Sequence, residues 1–227
     1  MEPQLNLWNE FCNQHFPNKF AIPLFSTSGK VVNTKNYGQN NRIILKRSNQ
    51  MEALVIEEVS KVLTDFKQGT NVYEGLIYMM YWLDDQQVIP LYIGKSEKYG
   101  TQGNNLSINI KDISSNKNFF CRWGDSYAYH IGDLSAVVCP GHPPLKVLRK
   151  YEKWAHCLFE SYPTPYPTLR RAIYFWIQAW ENGSVGIWKE VGSTPLTALE
   201  YHLIFVASNV FPVWLLNQEG VNRKRKA

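Results

Sequence analysis

The chain has 227 residues, of which 44% are apolar and 19% charged, which is typical of a globular protein with a sizeable core. No uninterrupted apolar run approaches the roughly 20 residues that span a bilayer, and the first residues lack the features of a signal peptide, so we expect a cytoplasmic protein. The net charge of +5 suits a polyanionic partner without requiring one.

The cysteines are widely spaced along the chain and form no C-x-x-C pair: Cys12, Cys121, Cys139 and Cys157. This spacing favours buried, reduced thiols over a zinc site or a disulfide framework.

Residues 1–70 are predicted to form an accessory segment without chemistry of its own. A polar loop at 26–42 precedes a predicted helix at 51–66, in which apolar residues recur at helical spacing. We expect this helix to cover a sheet. Basic residues ahead of it are candidates for contacts with a polyanion: Arg42, Lys46 and Arg47.

Two apolar and aromatic runs come next, and both predict strands. Residues 75–83 and 88–93 are separated by a polar turn at 84–87. Pro90 fits only at an edge or in the first residues of a strand. The sequence therefore predicts a hairpin.

Each predicted strand carries a tyrosine close to a glycine, in Gly75-Leu76-Ile77-Tyr78 and in Tyr92-Ile93-Gly94. Hydroxyls on neighbouring strands can point at one spot, and a glycine lets a phosphate backbone approach closely. The alternative interpretation is a hairpin whose tyrosines pack against a core face.

An aromatic run at 119–138 follows a polar stretch at 101–118, which we expect to be functional or disordered. The run contains four charged or titratable residues of interest: Arg122, Asp125, His130 and Asp133. Such groups are costly to bury without partners, so the run predicts a site. A structural ion pair of Arg122 with Asp125 or Asp133 is the alternative.

The last third of the chain predicts an amphipathic helix at 145–159 and an aromatic strand at 172–180. The dipeptide at 182–183 is a turn signal, and residues 185–191 are predicted to return as a second strand.

The final helix contains a carboxylate in an unusual position. Thr194 is its predicted N-cap, with Pro195 at the first helical position. On a helical wheel, four apolar residues lie within roughly 60° of Glu200, so the carboxylate belongs to the apolar stripe and must be protonated, paired or bound to a cation. His202 falls on the opposite side. Asn217, beyond the helix, either ties this segment back to the site or is an ordinary turn residue.

In chain order, these features resemble the GIY-YIG nuclease family over about residues 73–220. The resemblance rests on the two tyrosine words, Arg122, the helix segment Leu199-Glu200-Tyr201-His202-Leu203-Ile204, and Asn217 after Pro212. The first word is G-L-I-Y instead of G-I-Y, and Arg122 lies farther downstream than is usual in the family. These departures, with the insertion before the last strand and helix, fit the larger restriction-enzyme branch.

The resemblance implies an α/β (α+β) fold, with a small mixed central β-sheet flanked by helices. It divides the chain into the accessory segment at 1–70, a nuclease domain at 71–220 and a basic tail at 221–227. It also implies metal-dependent cleavage of double-stranded DNA, with Mg²⁺ or Mn²⁺ as cofactor. Because one Glu200 site cuts one strand at a time, we expect a homodimer on DNA, whose two-fold symmetry matches that of a palindromic target. A nuclease of mobile-element or DNA-repair type and a non-catalytic nucleic-acid-binding module are the alternatives. An enzyme that transfers phosphoryl groups from nucleotides is disfavoured, because the chain has no G-x-x-x-x-G-K-[ST] loop.

The same resemblance implies a role for each site residue. Glu200 would hold the metal and Arg122 would clamp a non-bridging phosphate oxygen. Tyr78 and Tyr92 would position or deprotonate the attacking water, and Asn217 would order the site. Because a tyrosine pKa near 10 is high for a base, Lys95 or His130 would lower it or accept the proton.

Overall fold

The structure is a computed structural model that describes residues 2–16, 21–100, 103, 105–113 and 116–220. The helices in this part of the chain are α1 (Glu2–His15), α2 (Asn49–Lys67), α3 (Ile108–Lys111), α4 (His130–Val138), α5 (Arg149–Leu158) and α6 (Leu196–Val210). The strands are β1 (Thr27–Ser28), β2 (Val31–Val32), β3 (Thr34–Tyr37), β4 (Arg42–Leu45), β5 (Tyr73–Asp84), β6 (Gln87–Glu97) and β7 (Tyr174–Glu181). The predicted basic tail at 221–227 lies outside the described residues.

The chain folds into two compact units, each built from separate stretches of sequence. The sheet unit comprises Met1–Ile22, Ser60–Ser107 and Tyr174–Ala227, and the second unit comprises Pro23–Val59 and Ile108–Ile173. The predicted boundary at residue 70 does not follow this division. Helix α1 belongs to the sheet unit because its apolar residues, among them Trp8 and Phe11, are buried in the core of that unit.

The sheet of the sheet unit has the strand order β6-β5-β7, and every pairing in it is antiparallel. The predicted hairpin is confirmed as β5 and β6, whose turn residues Asp85 and Gln86 take positive φ values of 43° and 70°. The predicted small sheet flanked by helices is also confirmed, but the sheet is not mixed. A tight hairpin can only join antiparallel strands, and β7 returns alongside β5 in the opposite direction.

Pro90 lies opposite Tyr81, where the register between β5 and β6 shifts. Strand β6 is one of the two edge strands of this sheet, so a residue without an N–H is tolerated there. The expectation for Pro90 is therefore confirmed.

Helices α1 and α6 pack against one face of this sheet. The alternate residues Ile77, Met79 and Tyr81 of β5 share one buried cluster with the apolar sides of both helices. Phe16 stacks on Trp176 with ring centroids 4.5 Å apart. Burial of these large rings accounts for much of the stability of the unit, since the hydrophobic gain scales with buried apolar area.

The second unit contains two small antiparallel hairpins, β1–β2 and β3–β4, together with α3, α4 and α5. Its interior includes Arg47, which is 2% exposed and donates to the backbone oxygens of Trp123 and Lys117. The predicted helix at 145–159 begins later, at Arg149, because a 3₁₀ turn follows Pro143.

Two further predictions have clear outcomes. The cysteines are free thiols, as expected. The predicted return strand at 185–191 is wrong: a 3₁₀ turn occupies Lys189–Val191, and only an isolated bridge joins Val185 to Ser193. The chain reverses at Gly192, whose φ of 75° suits a glycine and interrupts a strand.

No helix in the described residues is long and apolar enough to cross a membrane.

Candidate active site

Three predicted site residues from distant parts of the sequence meet on three consecutive residues of β6. Asn217 contacts Ile93, Tyr78 covers Gly94, and Glu200 reaches the backbone of Lys95. Because β6 has a neighbour on one side only, alternate backbone groups of this strand point away from β5 and need other partners.

Asn217 supplies such partners for Ile93. Its side-chain oxygen accepts a hydrogen bond from the Ile93 N–H at 3.0 Å, and its amide nitrogen donates to the Ile93 carbonyl at 2.8 Å. The adjacent Leu216 N–H donates to the Leu91 carbonyl at 2.7 Å. The segment after α6 is therefore hydrogen-bonded along the edge of β6. Of the two interpretations of Asn217, the structure supports the one in which this residue ties the segment back to the sheet.

Tyr78 lies directly opposite Gly94 in the β5–β6 register, and its ring lies over that glycine. A Cβ at Gly94 would be 2.6 Å from Tyr78 Cε2 and 2.8 Å from the Tyr78 hydroxyl oxygen, which is too close. Tyr92 is paired with Met80 and faces the same side of the sheet as Tyr78. Tyr78 is 2% exposed, whereas Tyr92 is only partly buried.

Both motif glycines make room for protein atoms. Gly75 has a φ of 149°, and a Cβ there would lie 2.3 Å from the Ser96 carbonyl oxygen and 2.8 Å from Leu196 Cδ2. The first glycine thus allows close packing of β5 on β6 and α6, and the second allows the Tyr78 ring to lie flat.

Glu200 is positioned by the start of α6. The helix is preceded by Pro195, and its first N–H, that of Leu196, donates to the Glu74 carboxylate at 2.7 Å. Glu74 therefore takes the capping role that was predicted for Thr194. The Thr194 hydroxyl instead accepts from the Gly186 N–H and donates to the Gly192 carbonyl.

The Glu200 side chain is partly buried and accepts a hydrogen bond from the backbone N–H of Lys95. Burial raises its pKa above the ordinary value of 4.5. The positive charge of Lys95 and the N–H lower the pKa, while the negative charges of Glu97 and Glu219 raise it further. The ionised carboxylate is thus incompletely compensated by its surroundings, in agreement with its place in the apolar stripe of α6.

Lys95 is held on the α6 side of the sheet. Its ammonium group pairs with Glu97, which also accepts a hydrogen bond from the Thr197 hydroxyl at 3.0 Å. The pKa of Glu97 is lowered, chiefly by the hydrogen bond from Lys95. Because Lys95 is paired with Ile77 in the register, its side chain projects from the face opposite to Tyr78 and Tyr92.

Arg122 belongs to the second unit, where it is exposed in a tight turn. Arg122 and its neighbour Cys121 have φ values of 76° and 44°, which are uncommon for residues with side chains. The Arg122 carbonyl accepts from the His130 N–H at 2.6 Å. Asp125 pairs with Lys35 at 2.9 Å and with Arg47 at 3.3 Å, so the alternative of an Arg122–Asp125 ion pair is wrong. For Asp133, burial raises the pKa and the charge of Arg122 lowers it.

His130 also belongs to the second unit and is 3% exposed. Its Nδ1 lies 2.7 Å from the Tyr151 hydroxyl, and its ring packs against Trp123 and Trp154. Burial lowers the pKa of His130 well below 6.5, and the charges of Lys150 and Arg122 act in the same direction. The ring is therefore neutral at physiological pH.

Three residues that support the site were missed from the sequence: Glu74, Glu97 and Thr197. Glu74 immediately precedes the first tyrosine word, and Glu97 follows Lys95 at the two-residue spacing that places both on one face of a strand. Their positions beside the predicted site residues were the only sequence signal for Glu74 and Glu97. No group of three or more His, Cys, Asp or Glu residues suited to a metal ion occurs in the described ranges.

The arrangement can bind a cation at Glu200 and present a tyrosine hydroxyl beside the same strand edge. No protein-family model, curated protein or solved structure matches this chain.

Proposed function

We propose that this chain is a metal-dependent DNA endonuclease of GIY-YIG type that hydrolyses phosphodiester bonds in double-stranded DNA at specific sequences. One observation carries the proposal. Tyr78, Glu200 and Asn217, which are separated by as many as 139 residues, all meet on the three residues Ile93, Gly94 and Lys95 of β6.

The donor chemistry of Glu200 fits a divalent cation. A partly buried carboxylate with a raised pKa is stabilised in its ionised form when a cation lies beside it. Mg²⁺ and Mn²⁺ prefer oxygen ligands, and Mg²⁺ commonly needs only one or two protein carboxylates, with water and phosphate oxygens completing its shell. When bound, such an ion neutralises charge on the phosphate and lowers the pKa of water.

The protein residues divide the remaining work. Asn217 holds the edge of β6 in place, so that the Lys95 N–H can orient the Glu200 carboxylate. Tyr92 is the more accessible tyrosine and orients or deprotonates the attacking water, while Tyr78 sets the spacing above Gly94. Lys95 adds positive charge near the carboxylate, which favours binding of the anionic substrate.

Arg122, an exposed residue of the second unit, is kept in this proposal as a residue that can bind phosphate through two N–H groups. His130 is buried and neutral, so its contribution is to hold the Arg122 turn through the hydrogen bond from its N–H. Lys95 projects from the face of the sheet opposite to Tyr78 and Tyr92, so the proposal assigns neither Lys95 nor His130 as the aid to the tyrosines.

The burial of Tyr78 favours one second candidate, a nucleic-acid-binding module without catalysis. A hydroxyl that solvent does not reach can serve packing alone. The two candidates differ in a single measurable property, which is turnover.

The test is a digest of mixed plasmid and phage DNA in Mg²⁺, with and without a chelator. Discrete bands that require the metal, and that disappear with Glu200→Gln, are the expected result. Glu190→Gln is the matched control, since Glu190 is exposed in the 3₁₀ turn of the same unit and its substitution removes the same charge. Intact DNA with the wild-type chain, or equal cutting by Glu200→Gln, would refute the proposal.

A further inference from the structure

Positive charge is concentrated in the second unit. This unit carries 14 Lys and Arg residues against 8 Asp and Glu, whereas the sheet unit carries 10 against 11. Residues 11–51 contain no Asp or Glu at all. A polyanion is therefore attracted to the second unit more than to the unit that holds Glu200.

Hairpin β3–β4 lies within the acid-free stretch. Its strands pair from Thr34 with Leu45 to Tyr37 with Arg42. The tip at 38–41 is exposed and ordered by a hydrogen bond from the Asn41 N–H to the Gly38 carbonyl at 3.1 Å. The major groove of B-DNA is wide enough for a two-stranded ribbon of this kind.

Arg42 is fixed at the base of this tip by aromatic rings. Its guanidinium carbon lies 4.1 Å from the centre of the Tyr127 ring and 5.4 Å from that of Tyr37. Tyr127 is itself held, because its hydroxyl lies 2.9 Å from His142 Nδ1 while His142 Nε2 lies 2.8 Å from the Ile43 carbonyl. The planar group is thus oriented before any ligand binds, which lowers the entropy cost of binding.

The donors of Arg42 are available to a ligand. Within the described ranges, no carboxylate pairs with Arg42 and no hydrogen bond uses its guanidinium. A second cation, Lys146, lies over the same Tyr127 ring at 5.0 Å. An open cavity of about 330 Å³ borders Arg42 and the side-chain amides Gln39 and Asn40. Asp133 is close enough to Lys146 for that charge to lower its pKa against the larger effect of burial. Two positive charges on one ring still favour an anionic or electron-rich partner.

We propose that hairpin β3–β4 enters the major groove of duplex DNA and determines sequence specificity. Arg42 binds the O6 and N7 edge of a guanine, Gln39 and Asn40 contact neighbouring base edges, and Lys146 binds a phosphate. The choice of duplex DNA rests on the proposed function, but the hairpin would be the reading element whether or not the chain cleaves.

The test separates binding from cleavage. The wild-type chain selects sequences from a randomised duplex library in a chelator, and affinities for the selected duplex and for a scrambled duplex are then measured at several salt concentrations. The variants are Arg42→Ala, Arg42→Lys, which keeps the charge without the planar fork, and Lys146→Ala. Lys30→Ala is the control, because Lys30 is an exposed cation in the β1–β2 turn of the same unit.

Each contact has its own expected signature. Both Arg42 variants lose between about 5-fold and 150-fold in affinity for the selected duplex, and the required guanine disappears from the selected sequences. Lys146→Ala weakens binding to both duplexes alike and lowers the slope of log affinity against log salt by about one. Lys30→Ala leaves the selected sequence unchanged.

Several outcomes would overturn the inference. The inference is wrong if the wild-type chain enriches no sequence from the library. It is also wrong if Arg42→Lys discriminates between the two duplexes as well as the wild type does, or if Arg42→Ala loses the same affinity for both duplexes. Failure of the proposed function looks different: the selection succeeds and depends on Arg42, but Mg²⁺ produces no cutting. Conversely, cleavage at a site that no hairpin variant alters leaves the function standing and removes the hairpin from recognition.

Discussion

Replacing Asn217 by Ala should destabilise the sheet unit strongly although the side chain is small. The substitution removes the hydrogen bonds to the Ile93 N–H and carbonyl, at 3.0 and 2.8 Å, on the protected edge of β6. Asn217 is 6% exposed and Ile93 is fully buried, so water does not readily replace the lost partners.

The magnitude follows from the cost of leaving buried polar groups unpaired. Each such group costs about 1–3 kcal/mol, so two of them give a loss of about 2–6 kcal/mol in the free energy of unfolding. The free energy of unfolding of a typical domain is only about 5–15 kcal/mol in total. Gln218→Ala is the matched control, because Gln218 is exposed and exposed substitutions stay within about 0.5 kcal/mol.

Two assays report on the same contact. Urea unfolding measures the loss in the free energy of global unfolding. Hydrogen exchange of the Ile93 amide measures the loss in the free energy of local opening at that strand. A local loss of about 2 kcal/mol corresponds to exchange about 30-fold faster. Asn217→Asp keeps the acceptor for the Ile93 N–H, but its ionised carboxylate has no donor for the Ile93 carbonyl. At low pH the protonated carboxyl regains an O–H donor, so the stability loss of Asn217→Asp should become smaller than that of Asn217→Ala.

One pattern of results would refute this reasoning. If Asn217→Ala has the urea midpoint of Gln218→Ala and unchanged exchange at Ile93, the side chain does not support the strand. Loss of cleavage in such a stable variant would then assign Asn217 a direct chemical role.

Four further outcomes are expected. Glu200→Gln should abolish cleavage, lowering the rate by about a hundredfold or more, without loss of stability. Because the folded-state pKa of Glu200 is raised, wild-type stability should fall as pH rises from 4.5 through that raised pKa, and Glu200→Gln should lack this dependence in urea unfolding at several pH values. Wild-type cleavage should rise over the same pH window, as the ionised carboxylate forms. Arg122→Ala should lower the cleavage rate by about a hundredfold at unchanged melting temperature, and unfolding instead would indicate a structural role. Tyr78→Phe and Tyr92→Phe should both fold, and Tyr92→Phe should show the larger loss of cleavage rate and an altered pH–rate profile. If both variants are fully active, the tyrosines serve only in packing. The chain should bind a short duplex as a homodimer in sedimentation and cut supercoiled plasmid on both strands, whereas a 1:1 complex with persistent nicked circles would indicate a monomeric nickase.

The sequence by itself determined the local elements of the sheet unit. The apolar, aromatic runs and the turn residues at 75–93 predicted the β5–β6 hairpin, and the periodicity around Glu200 predicted a carboxylate on the buried side of α6. Both signals depend on residues that are close in sequence, where strand and helix geometry alone fix which side chains share a face.

Only the tertiary structure decided how distant segments combine. The assignment of α1 to the sheet unit, the capping of α6 by Glu74 and the pairing of Asp125 with Arg47 join residues that are far apart in the chain. Each results from competition among many partners for a buried polar group or apolar face, and no local pattern identifies the winner. Tyr92 and Lys95 take opposite faces because side chains alternate along β6. Which of the two faces α6 was decided by the register of β5 and β6, because a shift of one residue would exchange them.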